Sequence, residues 1–286
     1  MESLKIYNRP SLKNPRMVLG FSGWMDGGNV STGTISYLKH KLSTKRFAEI
    51  DAQPFYLFNF PGIMQETAQF RPYTHIKDGL LANFQYPLNE FFYNEKSNII
   101  LFSGKEPNIL WNAYADCIFE IAREFEVKKI CFAGSVAGMI PHSRRVRISG
   151  YFSGKRQKEK MSPYNIRLSN YQGPASITTL ITKIAPERNI EMTNFVAEIP
   201  MYIQTENPKG IKAVIERIAR LLDINIDLSD LNREINNFEK RIDKLVQQQP
   251  QLFNQIKKLE KNYDEEYLNE KDGFEEWLKQ HGIDKL

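Results

Sequence analysis

The chain has 286 residues, 41% hydrophobic and 26% charged, with a net charge of +5, ordinary usage for a globular protein with enough apolar material for a real core. No apolar run approaches the ~18 residues of a membrane span. The two cysteines, Cys117 and Cys131, have no second Cys or His at metal-ligand spacing, so neither a zinc site nor a disulfide framework is indicated.

The polar N-terminus carries Pro10 ahead of the first apolar stretch, Met17 to Phe21, which is too short for the centre of a signal peptide. A cytoplasmic protein is expected, with both thiols buried as small hydrophobes. Met17 to Phe21 reads as a strand covered on both faces. It breaks into Ser22-Gly23-Trp24-Met25-Asp26-Gly27-Gly28-Asn29, where Asn29 is placed to cap a helix bearing Val30, Ile35, Leu38 and Leu42. Strand, glycine turn and helix open a doubly wound fold.

Phe55 to Phe58 and Leu80 to Gln85 read as further strands. Ile99 to Phe102 is a buried strand, and Asn108 beyond it is placed to cap a helix through Leu110, Tyr114, Cys117, Ile118 and Ile121. Ile130 to Ala133 is the next strand, followed by strands at Arg144–Ile148 and Phe195–Ile199, with a helix opened by Gly173-Pro174 between them. Pro208 fits the first turn of a helix through Leu222. The alternation predicts a three-layer α/β/α fold with a mostly parallel central sheet. The loops at 22–29, 103–108 and 134–145 then face one crevice at the carboxyl ends of the strands.

After Leu228 the pattern changes. Leu231, Ile235, Phe238, Ile242 and Leu245 form a coiled-coil-like stripe, and Pro250 starts a second helix with Phe253, Ile256, Tyr263 and Tyr267. A last short helix is read at Phe274, Trp277 and Leu278. The division expected is a core at 1–228 and a helical hairpin at 229–286, packed on its own core or on another subunit. Residues 229–286 hold 10 Lys+Arg against 13 Asp+Glu, leaving the preceding part with a net charge of +8.

Five segments in order resemble the proteasome-assembly-chaperone-like family: Gly23-Trp24-Met25-Asp26-Gly27-Gly28-Asn29, Ser103 to Asn108 with Trp111, Pro141-His142-Ser143-Arg144, Tyr171 to Ser176, and Pro200-Met201-Tyr202 with Asn207-Pro208-Lys209. The resemblance covers roughly residues 15–228 and implies a phosphorylase- and peptidyl-hydrolase-like α/β/α fold. It also implies homo-oligomers, often trimers, and in some relatives a role in proteasome assembly. Proteasome-binding relatives end in a hydrophobic residue, Tyr and one more residue. This chain ends Ile283-Asp284-Lys285-Leu286, with Lys in the Tyr position, so the resemblance does not extend to tail docking.

The candidate chemistry lies in the matched loops. Asp26, Glu106 and His142 come from three loops of one crevice and offer acid, base or metal-binding groups, set against helix capping or pairing with arginine. Gly23, Trp24, Asn29, Gly104, Asn108 and Ser135 are candidate ligand contacts, although Gly23 to Asn29 matches neither phosphate-binding loop motif. Ser135 is off-centre in Gly134-Ser135-Val136-Ala137-Gly138, where a nucleophile elbow needs serine at the middle. Trp24 and Trp111 read as core or interface anchors. Arg144, Arg145, Arg156 and Lys158 belong to a basic stretch that can meet an anion or partner; with no recognised motif beside it, nucleic acid is the weaker reading. His40, His75 and His281 stand alone. The sequence calls for no cofactor, metal or membrane. It favours an oligomeric protein-binding or assembly-chaperone-like protein, with a hydrolase or phosphorylase-like enzyme as the alternative.

Overall fold

The computed structural model describes residues 3–280. Strands β1 (Leu4–Ile6) and β2 (Arg16–Ser22) lead into helix α1 (Val30–Lys41) and β3 (Lys45–Ile50). An irregular segment with α2 (Met64–Thr67) precedes β4 (Tyr73–Lys77), β5 (Leu80–Gln85) and β6 (Glu90–Asn94). Then come β7 (Ile99–Lys105), α3 (Trp111–Glu124), β8 (Lys129–Gly138), β9 (Ile148–Phe152), α4 (Lys155–Glu159) and β10 (Arg167–Leu168). Helix α5 (Ile177–Ile184), β11 (Glu191–Pro200), α6 (Pro208–Leu222), α7 (Ser229–Gln247) and α8 (Pro250–Gln280) complete the fold.

One sheet runs in the order β1-β3-β6-β7-β2-β8-β11-β9-β10. Its centre, β7-β2-β8-β11, is parallel, whereas β1, β3 and β6 on one side and β9 on the other join antiparallel. The sheet is therefore mixed, with parallel order confined to its middle and to the short β9–β10 pair. Alternate side chains of the central strands go to opposite faces. Met17, Leu19, Ile100, Phe102, Ile130 and Phe132 pack under α3 and α5. Val18, Leu101, Cys131 and Ala133 pack under α1 and α6. That two-sided burial is why these strands are continuously apolar in sequence. Helix α1 lies so close to β2 that a Cβ at Gly20 would sit 2.3 Å from Ile35 Cγ1 and 2.9 Å from the Ser31 carbonyl oxygen.

Several local expectations are corrected. Phe55 to Phe58 is not a strand: the Phe55 carbonyl accepts from the Asn108 and Ile109 amides (2.9 and 3.2 Å), tying the segment to the loop before α3. Asn108 does not cap α3, because its Oδ1 accepts from the Leu57 amide (3.1 Å). Asn29 does not cap α1 through its side chain; it takes a left-handed conformation (φ 51°) while Asp26 supplies the acceptors. The strand read at Arg144–Ile148 starts only at Ile148, since the Arg145 carbonyl accepts from Tyr263 Oη (3.0 Å) instead of a neighbouring strand. The helix read from Gly173-Pro174 begins at Ile177, where Ser176 and Thr179 form a capping box. The short terminal helix is part of the continuous α8.

Helices α7 and α8 form an antiparallel hairpin seated on this chain's own core. Leu231 joins the cluster beneath α1 and α6, and Phe238, Val246, Ile256 and Tyr263 are buried as well. Leu245, the last residue of the expected stripe, is 54% exposed; Val246 takes its place inside. The side chains of Tyr267, Phe274, Trp277 and Leu278, residue His281 and the tail Ile283 to Leu286 lie outside the described residues.

Candidate functional site

The carboxyl ends of β2, β7 and β8 do bring the loops together, and the joining is done by polar groups. Gly23 turns the chain at φ 125°, a conformation glycine tolerates, with Glu106 directly against it. Glu106 Oε2 accepts from the Trp24 amide (3.0 Å) and Oε1 from the Ile177 amide at the start of α5 (2.8 Å), so one carboxylate ties three segments. Negative charge at a helix N-terminus is favourable. Asp26 accepts from the Thr32 amide (3.0 Å) and Oγ1 (2.8 Å), anchoring the first turn of α1. Burial is the leading influence on Asp26 and raises its pKa, opposed by the Thr32 bonds. Ser135 is fully buried, and its Oγ donates to the Gly27 carbonyl (2.6 Å). Among the described residues no histidine is hydrogen-bonded to it, and its hydroxyl acts as a strut between loops.

His142 sits elsewhere, beneath the hairpin, and is 4% exposed. Tyr202 Oη accepts from the His142 amide (2.8 Å) and lies 2.7 Å from Nδ1, while Nε2 lies 3.0 Å from Asp243 Oδ1 on α7. An ionised Asp243 carboxylate only accepts, so Nε2 is the donor of that bond, and in the neutral tautomer this implies Nδ1 accepts from Tyr202 Oη. Burial pushes the Tyr202 hydroxyl up to about 12, the wrong direction for a nucleophile. This Tyr–His–Asp chain fastens α7 to the loop after β8. Among the described residues no three His, Cys, Asp or Glu side chains group as a metal site.

What remains open at the rim is a cleft of about 350 Å³ lined by Gly23, Trp24, Lys105, Glu106, Asn108 and Trp111, among others. Trp24 is 62% exposed, against its reading as a core anchor within this chain. Trp111 is half-buried and donates through Nε1 to the Pro107 carbonyl (2.9 Å). Lys105 reaches the Gln69 carbonyl (2.7 Å), and burial lowers its pKa. Gly104 lies beneath the rim, where a Cβ would come within 2.8 Å of Tyr114 Oη. Asn89, which the sequence reading missed, is the node below: its Oδ1 lies 2.8 Å from Tyr56 Oη, 2.9 Å from Tyr114 Oη and 3.1 Å from the Lys105 amide. Nothing in a lone Asn before a strand announces that role.

The basic stretch is divided by the fold. Arg144 makes a bidentate pair with Asp264 of α8 (2.7 and 2.7 Å), and Arg145 lines a separate cleft. Arg156 and Lys158 are exposed on α4, outside that cleft's lining. The two cysteines are buried, which pushes the Cys117 thiol up to about 11 and Cys131 higher still. Among the described residues no helix is long and apolar enough to cross a membrane.

The model of the PAC2 family matches residues 20–246. The chain belongs to the PAC2 family. The match runs past residue 228, the expected end of the core, and takes in all but the last residue of α7. No curated protein is significantly similar in sequence. Among solved structures, a Mycobacterium tuberculosis protein described as a proteasome-assembly chaperone homologue is 23% identical, with a TM-score of 0.71 over 80% of this chain and 94% of that one. A Mycobacterium tuberculosis protein of unknown function is 19% identical and aligns over 96% of this chain and 92% of its own, with a TM-score of 0.83. PbaB of Pyrococcus furiosus, described as an archaeal proteasome activator, is 18% identical, with a TM-score of 0.64 over 85% and 97%. These likenesses establish that the PAC2 chain shares the fold of those proteins.

Proposed function

We propose that this PAC2 protein is a cytoplasmic homo-oligomer, with a trimer favoured, that binds other proteins in an assembly-chaperone-like role without catalysis of its own. The observation that carries this reading is the arm formed by β4 and β5. It is a separate two-stranded sheet. Its Ile76, Leu80, Leu81 and Phe84 are 65%, 74%, 66% and 53% exposed, and Ile63 and Met64 nearby are 61% and 78% exposed. An isolated hairpin is marginal in water, and an exposed apolar patch of this kind marks a surface used for association. A second support is that the carboxylates and serine of the crevice are committed to caps and struts, which weighs against the enzyme alternative. The names of the structural neighbours lend weight to an assembly role, and proteasome-related partners are the first to try. Core and hairpin act in this reading as one body that carries the arm.

Sedimentation at tens of micromolar is expected to give a species larger than a monomer, and I76E/L81E is expected to shift it to monomer with an unchanged far-ultraviolet dichroism spectrum. A wild-type protein that sediments as a clean monomer at that concentration would sink the proposal.

A further inference from the structure

A cavity of about 970 Å³ lies between the core and the helical hairpin, walled by the loop after β8, β10, α6 and α7. Among the described residues six cationic side chains line it: Arg145, Arg147, Arg167, Lys209, Lys212 and Arg217. Of the described carboxylates, Glu216 and Glu239 line it with them. Glu239 pairs with Lys209, and Glu216 lies 3.4 Å from both Lys212 and Arg217. Among the described residues, with Glu266 counted as well, cations outnumber carboxylates six to three at these walls.

Its walls are preorganised. Arg217 is held by the carbonyls of Tyr164 (3.3 Å), Ala213 (3.3 Å) and Asn165 (3.5 Å), which orient the guanidinium without neutralising it. Burial lowers the Arg217 pKa, with the charges of Arg145 and Arg220 adding to that and Glu216 opposing it. Arg147 stacks on Tyr263, 4.0 Å from the ring centroid. One of its terminal nitrogens, Nη1, meets Glu266 of α8 at 2.8 Å, while Nη2 is buried without a hydrogen-bond partner. The same Glu266 carboxylate lies 3.8 Å from Arg167. An anion thus already stands between two arginines, using half of the Arg147 fork.

We infer that this cavity binds a multiply phosphorylated small molecule of nucleotide size, one phosphate of which takes the place of the Glu266 carboxylate between Arg147 and Arg167. Phosphate oxygens match the arginine fork bidentately, which a single carboxylate on an exposed glutamate does not achieve here. The volume lies within the range of small-molecule sites. A nucleic-acid track is disfavoured, because the cations converge on a bounded cavity while Lys155, Arg156 and Lys158 lie on α4 outside its lining. Glu266 is more than half exposed, so moving it leaves the hairpin's buried contacts in place.

Isothermal titration of the full chain with pyrophosphate, ADP and sulfate, and with a short RNA, tests this. Pyrophosphate and ADP are expected to bind, with sulfate at least ~10-fold weaker, and R145A/K212A is expected to weaken both by about 10-fold. E266Q removes the competing carboxylate and is expected to tighten both several-fold, a gain that a misfolded variant cannot produce. Failure of pyrophosphate and ADP to bind at millimolar concentration overturns the inference, as does binding that neither variant changes. RNA binding lost in R156A/K158A but kept in R145A/K212A would overturn it in favour of a nucleic-acid surface on α4.

Discussion

Replacing Glu106 distinguishes a structural carboxylate from a reactive one. Its two oxygens accept from the amides of Trp24 and Ile177, and Ile177 is 1% exposed. Truncation to alanine leaves the Ile177 amide buried at the start of α5. Loss of a hydrogen bond to a charged acceptor costs about 1.5–3 kcal/mol. Loss of the favourable charge at the helix end adds roughly 0.3–1 kcal/mol. The Trp24 amide is exposed and finds water, so it adds little. E106A is therefore expected to destabilise by about 2–4 kcal/mol, a fall in melting temperature of roughly 3–7 °C for a chain of this size. E106Q keeps one acceptor oxygen and should lose about half as much. Calorimetry or denaturant unfolding provides the measurement. Carboxylates held for chemistry are commonly neutral or stabilising when removed, because function and stability compete at active sites. A melting temperature for E106A within about 1 °C of wild type would refute the capping argument and return Glu106 to the list of candidate catalytic groups.

Asp26 should leave a signature in pH dependence. Its pKa is raised in the folded state, chiefly by burial, so between the unfolded and folded values the native protein holds the extra proton, and stability falls as pH rises through that window. The stability of wild type minus that of D26N should therefore decrease from acid to neutral pH in urea titrations; a flat or rising difference would contradict the burial effect. Phe238 is the largest buried anchor of α7, 2% exposed, and F238A should cost about 3–5 kcal/mol of local packing. Limited proteolysis should then cut between residues 229 and 266 before the core opens, whereas an unchanged digestion pattern would mean that the hairpin is held by its ion pairs instead.

The layers of this fold were legible because burial writes itself into strand composition. Met17 to Phe21, Ile99 to Phe102 and Ile130 to Ala133 are apolar at every position or nearly so, and each is covered on both faces. The antiparallel edges were harder. β3 (Lys-Arg-Phe-Ala-Glu-Ile) and β6 (Glu-Phe-Phe-Tyr-Asn) mix charged and apolar residues and show no clean period, so neither was read as a strand. The arm carries a strong local signal: Asp78-Gly79, with φ of 50° and 78°, is a tight hairpin turn between β4 and β5.

The candidate site divides the same way. That Gly23, Asp26, Glu106 and Ser135 meet at one rim followed from loops closing parallel strands. That their polar atoms are spent on Thr32, Trp24, Ile177 and Gly27 did not, because a carboxylate's partner depends on distances of tenths of an ångström between segments distant in sequence. The sequence alone determined which stretches are buried and where the chain turns, since both depend on local composition. Tertiary structure decided that His142 faces Asp243 and Tyr202, that six cations ring one cavity, and that the apolar arm stands outside the core. Those arrangements arise from hairpin docking and sheet edges, where many near-equal local choices are settled only by what packs against them.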